Sequence, residues 1–286
     1  MTDNTIASVP TLSLRAGSVA VKIPQLGFGV WQVPDDKVGP AVEKALEVGY
    51  RHIDTAKAYD NESGVGRVLS ATPVPRSQIF LTTKLWNADQ GYQQTLDAFE
   101  ASHQRLGSDA PVDLYLIHWP TPKNDRYVDT YRALIELRES GKIRAAGVCN
   151  FEVEHLERVN AELGEYPAIN QIELHPFLQQ AQLREFHQAH DIVTEAWSPL
   201  ASGGEVLQNA DIAAIADKHG KTAAQVILRW HLQLGNVVIP KSVTPARIEE
   251  NFDIFGFELD GEDLRTIAGL DKGERTGPDP MEFNQA

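Results

Sequence analysis

Asp54, Tyr59, Lys84 and His118 are the side chains of this sequence whose types together can deliver a proton to a reacting oxygen. Hydride arriving at a carbonyl carbon leaves negative charge on the oxygen, and an acid must then supply a proton. A tyrosine phenol is weak for that task, with an ordinary pKa of about 10. A lysine ammonium beside it favours the phenolate and lowers that pKa, while a carboxylate keeps the ammonium charged and oriented in a site stripped of water. Lys84 and Asp54 are expected to form that pair, and His118 to donate a hydrogen bond that fixes the carbonyl oxygen. Taken singly each residue reads as surface or as a helix start; their shared placement makes the set specific.

That placement is regular. Short apolar runs end in Asp54, in Lys84 and in His118, and further runs end in Cys149-Asn150, Gln171, Trp197-Ser198 and Lys241-Ser242, with residues 25–29 opening the series before Trp31. Between the runs lie segments such as 38–48, 92–106 and 127–138, whose apolar residues recur three and four apart, the helical spacing. Strand-like runs alternating with helical ones indicate parallel strands with crossover helices. In a (β/α)₈ barrel the C-terminal strand ends meet at one mouth, so residues scattered along the chain would converge there. Residues 11–15 and 19–23 alternate around Ala16-Gly17-Ser18 and read as a hairpin covering the barrel bottom. Segments 210–219 and 222–234 read as two successive helices before the last strand, giving the barrel two extra helices. Gly49, Gly107, Gly141, Gly164 and Gly220 mark helix exits, and the tail from Asp271 is irregular. Residues 1–286 are read as one domain.

Composition narrows the function. A formal charge of −14 argues against nucleic acid or an anionic membrane as partner, since both need a basic face. Cys149 is the lone cysteine, which excludes an intramolecular disulfide. Residues 1–10 lack a basic segment followed by an apolar core, and no apolar run approaches the ~20 residues of a membrane span, so a cytoplasmic monomer is expected. Gly27-Phe28-Gly29 starts like a dinucleotide fingerprint, but Gln32 stands at the third glycine position and Pro34 follows. Gly220-Lys221-Thr222 imitates the end of a phosphate loop, yet Ile215 replaces its first glycine. There is no serine elbow, and Cys149 closing an apolar strand reads as packing rather than as a nucleophile. His187 and His190 lack further ligands and read as solvated surface, so no metal is expected.

The stretches Gly49-Tyr50-Arg51-His52-Ile53-Asp54-Thr55-Ala56, Tyr59-Asp60-Asn61-Glu62, Thr83-Lys84-Leu85-Trp86, Leu116-Ile117-His118-Trp119-Pro120, Gly147-Val148-Cys149-Asn150-Phe151, Asn170-Gln171-Ile172-Glu173-Leu174-His175-Pro176 and Ile239-Pro240-Lys241-Ser242-Val243-Thr244 carry a resemblance to the aldo-keto reductase family, over residues 25–270. The sequence looks most like the bacterial 2,5-diketogluconate reductase-like branch. The resemblance implies a (β/α)₈ barrel that binds NADPH without a Rossmann domain, with Tyr59 as acid, Lys84 and Asp54 tuning it, and His118 orienting a small-molecule carbonyl substrate. It also implies that Asn150 and Gln171 hold the nicotinamide carboxamide, that Trp197 stacks on its ring, and that Gly29, Val30 and Asp54 border it. Ser198, Leu200 and Ser202 match the pyrophosphate loop; Lys241, Ser242, Val243, Thr244, Arg247 and Asn251 match the adenosine end, with the cations on the 2′-phosphate.

Two departures stand out. Cys149 replaces the usual serine, and a thiol is the weaker donor to the carboxamide. The segment after Pro120 and the tail are short, so the mouth is expected to be open. Trp31, Trp86 and Trp119 fall where the family lines its substrate pocket, which points to an apolar pocket for small or medium aldehydes, α-dicarbonyls and keto sugars. Two other classes stand as rivals: a non-catalytic, NADPH-sensing binding protein on the same fold, and an isomerase-like barrel using Lys241, Ser242 and Arg247 for a substrate phosphate. Retention of Asp54, Tyr59, Lys84 and His118 favours turnover.

Overall fold

The computed structural model describes residues 9–285 apart from 18 and 108. Strands β1 (Thr11–Ala16) and β2 (Val19–Pro24) form an antiparallel hairpin, the one read from the sequence. The remaining strands are β3 (Phe28–Gly29), β4 (His52–Asp54), β5 (Phe80–Leu85), β6 (Val112–Ile117), β7 (Ile143–Cys149), β8 (Ile169–Glu173), β9 (Val193–Trp197) and β10 (Val237–Val238). They lie side by side in sequence order and run parallel. The ring closes between its two short end strands: Leu26 bridges Val238, Val238 N donates to the Gln25 carbonyl at 2.8 Å, and Gly29 N donates to the Pro240 carbonyl at 3.1 Å. The fold is a (β/α)₈ barrel.

Helices α1 (Val38–Val48), α2 (Glu62–Ala71), α3 (Tyr92–Leu106), α4 (Tyr127–Glu139), α5 (Val153–Leu163) and α6 (Ala181–Ala189) each connect two neighbouring strands. Two helices, α7 (Ala210–His219) and α8 (Ala223–Gln233), separate β9 from β10, as the sequence predicts, and α9 (Pro245–Phe252) and α10 (Gly261–Ala268) follow β10. Gly107, Gly164 and Gly220 end their helices in the left-handed conformation, whereas Gly49 has a φ of 126°, outside it.

Alternation along each strand separates two environments. Tyr115 and Ile117 of β6 join the apolar layer under the helices, while Leu114 and Leu116 point inward onto Leu14, Ala16, Val21 and Ile23 of the hairpin, which plugs the barrel bottom. Close packing inside the ring requires glycine at position 147: a Cβ there would lie 2.5 Å from Ile169 Cγ2 and 2.7 Å from Leu116 Cδ2. Toward the other end the inward positions turn polar, with His52, Asp54, Thr82, Lys84, Gln171 and Glu195 all buried. Polar side chains deep in a barrel demand partners, and this end is where the chemistry-bearing residues meet.

One surface expectation is overturned. His187 is fully buried, bonded through Nε2 to Asn170 at 3.1 Å and through Nδ1 to Thr194 at 2.9 Å, and burial lowers its pKa to about 3. It fastens α6 to the outer side of β8 and β9; an amphipathic helix shows which residues face inward only once its partner strands are known. Among the described residues no group of histidine, cysteine, aspartate and glutamate is arranged to hold a metal, and no helix is long and apolar enough to cross a membrane.

Candidate active site at the barrel mouth

Asp54 ends β4, Lys84 stands next to last on β5, and His118 follows β6, so three strand ends bring them together. Tyr59 arrives from the 3-10 turn Lys57–Tyr59 that leads into α2. Asn61 fixes that approach: it is fully buried, accepts from Thr55 Oγ1 at 2.7 Å, and donates to the Val30 and Val33 carbonyls at 2.9 Å each. It ties the loop carrying Trp31 to the segment carrying Tyr59. Behind it Glu62 accepts from Thr83 Oγ1 at 2.6 Å and from Arg105 Nε at 2.7 Å, anchoring α2 against β5.

Lys84 Nζ sits at the centre. It donates to Asp54 Oδ1 at 2.6 Å, to the Thr55 carbonyl at 3.0 Å and to Tyr59 Oη at 3.1 Å, using its three protons on three oxygens. Lys84 is 0% exposed and Asp54 1%. Burial works against the lysine charge, but the Asp54 carboxylate, followed by Tyr59, holds its pKa above the ordinary value. The expectation for Tyr59 is corrected here. Its pKa is pushed up to about 12, because burial of the ring outweighs the downward pull of Lys84 and Asp54 adds to the rise. The resting phenol therefore holds its proton firmly, with the Lys84 ammonium placed against its oxygen. Burial, with Lys84 second, drives the His118 pKa well below its usual value, so its imidazole is neutral. The ring stands edge-on to Tyr59 at 5.6 Å and to Trp86 at 5.4 Å between centroids, and among the described residues its Nδ1 has no hydrogen-bond partner.

A second set of polar groups continues from this centre. Gln171 Nε2 donates to Asp54 Oδ2 at 3.0 Å and to Glu195 Oε2 at 2.9 Å, and among the described residues its amide oxygen has no hydrogen-bond partner. Asn150 holds a left-handed backbone with φ of 61°, donates to the His118 carbonyl at 3.0 Å and accepts from Trp197 Nε1 at 2.8 Å. Trp197, at the end of β9, is half-buried. Gly29 and Val30 lie beside these groups: Val30 is buried and its N–H donates to the Asp54 carbonyl at 3.1 Å. Cys149 is fully buried within the inner barrel, next in register to Gln171, and burial raises its thiol pKa well above the usual range. That environment favours the neutral thiol over the thiolate.

Other expected residues stand apart from this network. Ser198 and Ser202 bond each other at 3.2 Å on a loop of 3-10 turns that also holds Leu200. Lys241, Val243 and Thr244 are exposed on the turn from β10 into α9 and Arg247 is exposed on α9, while Ser242 of the turn and Asn251 of the helix are buried. Among the described residues neither Lys241 nor Arg247 forms an ion pair, although acidic side chains outnumber basic ones by 40 to 26. Of the tryptophans, Trp31 is 50% exposed at the rim, Trp86 is half-buried, and Trp119 is covered.

The cover on Trp119 corrects the expectation of an open mouth. The tail crosses it: Phe283 packs on Trp119 at 4.4 Å between ring centroids, and Asn87 donates to the Gln285 carbonyl at 2.7 Å. Glu173, at the end of β8, clamps the tail by accepting from Thr276 N at 2.6 Å, Thr276 Oγ1 at 2.5 Å and Gly277 N at 3.1 Å, besides His175 Nε2 at 3.1 Å. Burial opposes ionisation of Glu173, yet these donors keep its pKa below the ordinary value. Gly277 must be glycine, since a Cβ there would lie 2.5 Å from the Trp197 ring. A short tail is still long enough to reach the rim when a buried carboxylate fastens its middle. Sequence reasoning passed over Glu173, Glu195, Asn61 and Glu62. The first two carried a signal, each being an acidic residue on a strand that alternates inward and outward positions and is buried along most of its length.

Comparison with known proteins identifies the family and supports the fold. The model of the Aldo/keto reductase family matches residues 24–272. An aldo-keto reductase of Mycolicibacterium smegmatis is 56% identical over 275 residues, covering 96% of this chain and 98% of that protein. The methylglyoxal reductase DkgA of Escherichia coli is 51% identical over 279 residues, covering 97% and 99%. Among solved structures, a mutant of Gox0644 in complex with NADPH superposes with a TM-score of 0.90 at 49% identity, covering 96% of this chain and 98% of that one.

Proposed function

The chain belongs to the aldo/keto reductase family, and from that footing we propose that it is an NADPH-dependent oxidoreductase reducing aldehydes, α-dicarbonyls or keto sugars to alcohols, with Tyr59 as general acid. One observation carries the reading: a single buried ammonium, Lys84, bonds both the Asp54 carboxylate at 2.6 Å and the Tyr59 phenol at 3.1 Å where the barrel opens. NADPH, when bound, supplies the hydride. The residues fit that cofactor in two respects. The amide oxygen of Gln171 and the amide of Asn150 suit the donors and acceptors of a carboxamide, and Lys241 with Arg247, in no ion pair among the described residues, offers positive charge to a 2′-phosphate.

Tyr59 gives its proton to the carbonyl oxygen, and the phenolate that remains is met by Lys84, whose charge Asp54 sustains. His118, being neutral, can donate one hydrogen bond to the same oxygen without introducing a competing charge. Trp86, edge-on to His118, and Trp31, exposed at the rim, give the substrate an apolar wall. The 51% identity to a methylglyoxal reductase supports small α-dicarbonyls as substrates. The test is direct: add NADPH and methylglyoxal and follow the absorbance of reduced nicotinamide, with tryptophan fluorescence reporting cofactor binding. Turnover supports the proposal, while quenching without absorbance loss across aldehydes, α-dicarbonyls and keto sugars would leave a binding protein.

A further inference from the structure

The buried polar end of the barrel holds one group that the proposed proton delivery does not use. Glu195 lies on β9, 0% exposed, with Oε2 accepting from Gln171 at 2.9 Å. Among the described residues its Oε1 has no hydrogen-bond partner, and it stands 3.8 Å from His52 Nε2. The charged and titratable groups around it can be counted strand by strand. β4 contributes Asp54 and His52, β5 contributes Lys84, β7 contributes Cys149, and the partner on β10, Val237, is apolar. Tyr59 lies beyond Lys84.

Among the described residues this enclosure has one cation for two carboxyl groups. Lys84 is already bonded to Asp54, His52 is neutral because burial and then Lys84 lower its pKa to about 3, and the Cys149 thiol is uncharged. Thr82 Oγ1 occupies His52 Nε2 at 3.0 Å. A second carboxylate would be a buried charge without a counter-ion, which a protein avoids by keeping the proton. We propose that Glu195 is a positioning residue held as a neutral carboxylic acid, which lets Gln171 serve Asp54 and leaves Lys84 undivided in its hold on Tyr59. The inference rests on the proposed reading of Tyr59 as acid.

Burial and the neighbouring Asp54 raise the Glu195 pKa to about 8, in keeping with that state. Above that pH Glu195 ionises. It then competes with Asp54 for the Gln171 amide and sets a second negative charge near Lys84, which makes the Tyr59 phenol a poorer acid. Carbonyl reduction is therefore expected to decline on the alkaline side through Glu195, well below the value near 12 to which the Tyr59 pKa is raised.

Two measurements on the intact protein test this. Single-turnover oxidation of NADPH by methylglyoxal, from about pH 6 to about pH 10, should fall several-fold with an inflection near 8 in the wild type. Glu195→Gln keeps the acceptor for Gln171 but cannot ionise, and its profile should stay flat through that range. Separately, ligand-free protein should show a Tm that drops between about pH 6 and pH 9 more in the wild type than in Glu195→Gln. The sign follows because the folded carboxyl retains a proton that the unfolded chain has already released, so stability is lost as pH rises. Identical alkaline inflections, or a Tm difference independent of pH, would overturn the proposal. Should the variant not fold, infrared spectra of the wild type decide: a protonated carboxyl band present at pH 6 and gone by about pH 10 supports it, and no such band at pH 6 refutes it. Absence of any turnover in the wild type would instead count against the reductase reading, while the Tm and infrared results would still judge Glu195.

Discussion

The nicotinamide and adenosine ends of the proposed cofactor cleft are built in opposite ways. At the first, Asp54, Lys84, Gln171 and Glu195 are almost entirely buried and bonded to one another, so their geometry exists before any ligand arrives. At the second, Lys241 and Arg247 stand exposed with no ion pair among the described residues. A buried network supplies chemistry because its charges are unscreened and its orientation is fixed, whereas exposed cations supply attraction that salt weakens. The contrast predicts mutations of different kinds as well as of different size.

The sharpest way to break it is Lys84→Met. Carbonyl reduction should fall by roughly 10²- to 10⁴-fold, because the phenolate loses its counter-charge. Urea unfolding should show a stability loss of about 3–5 kcal/mol, since Asp54 is left buried without a partner. A folded, active variant would mean that the network is not the source of the chemistry. Arg247→Ala probes the other end. NADPH affinity should drop about 10- to 100-fold while NADH affinity changes little, and added salt should shrink the gap. Equal losses for both cofactors would remove Arg247 from the 2′-phosphate.

Smaller effects sharpen the boundary between the two ends. Glu173 fastens the tail through a carboxylate whose folded pKa is depressed, so its contribution is present above the usual carboxyl pKa of 4.5 and is lost as pH falls below it. Carboxypeptidase should therefore release the last residues faster in Glu173→Gln than in the wild type at neutral pH, and the two rates should converge on acidification. Cys149→Ser should change NADPH affinity by no more than ~10-fold, as expected of one neutral hydrogen bond. Loss of activity there would restore the cysteine as a nucleophile.

How legible these regions were in the sequence also differs. The strand ends were legible because a polar residue closing an apolar run is a local signal, and Asp54, Lys84 and His118 each close one. The helices 210–219 and 223–233 were legible from their spacing. Glu195 and His187 were not read, since both depend on which face of an element meets a neighbour, a fact fixed by register rather than by local pattern. The tail escaped for a similar reason: nothing near Thr276 announces that a carboxylate on a strand a hundred residues earlier will hold it. The net upward shift of Tyr59 was also hidden, because the presence of Lys84 is a matter of sequence and the degree of burial is a matter of packing.

The central claim is that Tyr59 supplies the proton. Tyr59→Phe removes one oxygen and leaves the ring, so single-turnover NADPH oxidation with methylglyoxal, measured beside the NADPH dissociation constant, isolates that role. The account predicts a rate lower by about 10²- to 10⁴-fold with cofactor affinity nearly unchanged. A rate close to that of the wild type would contradict it.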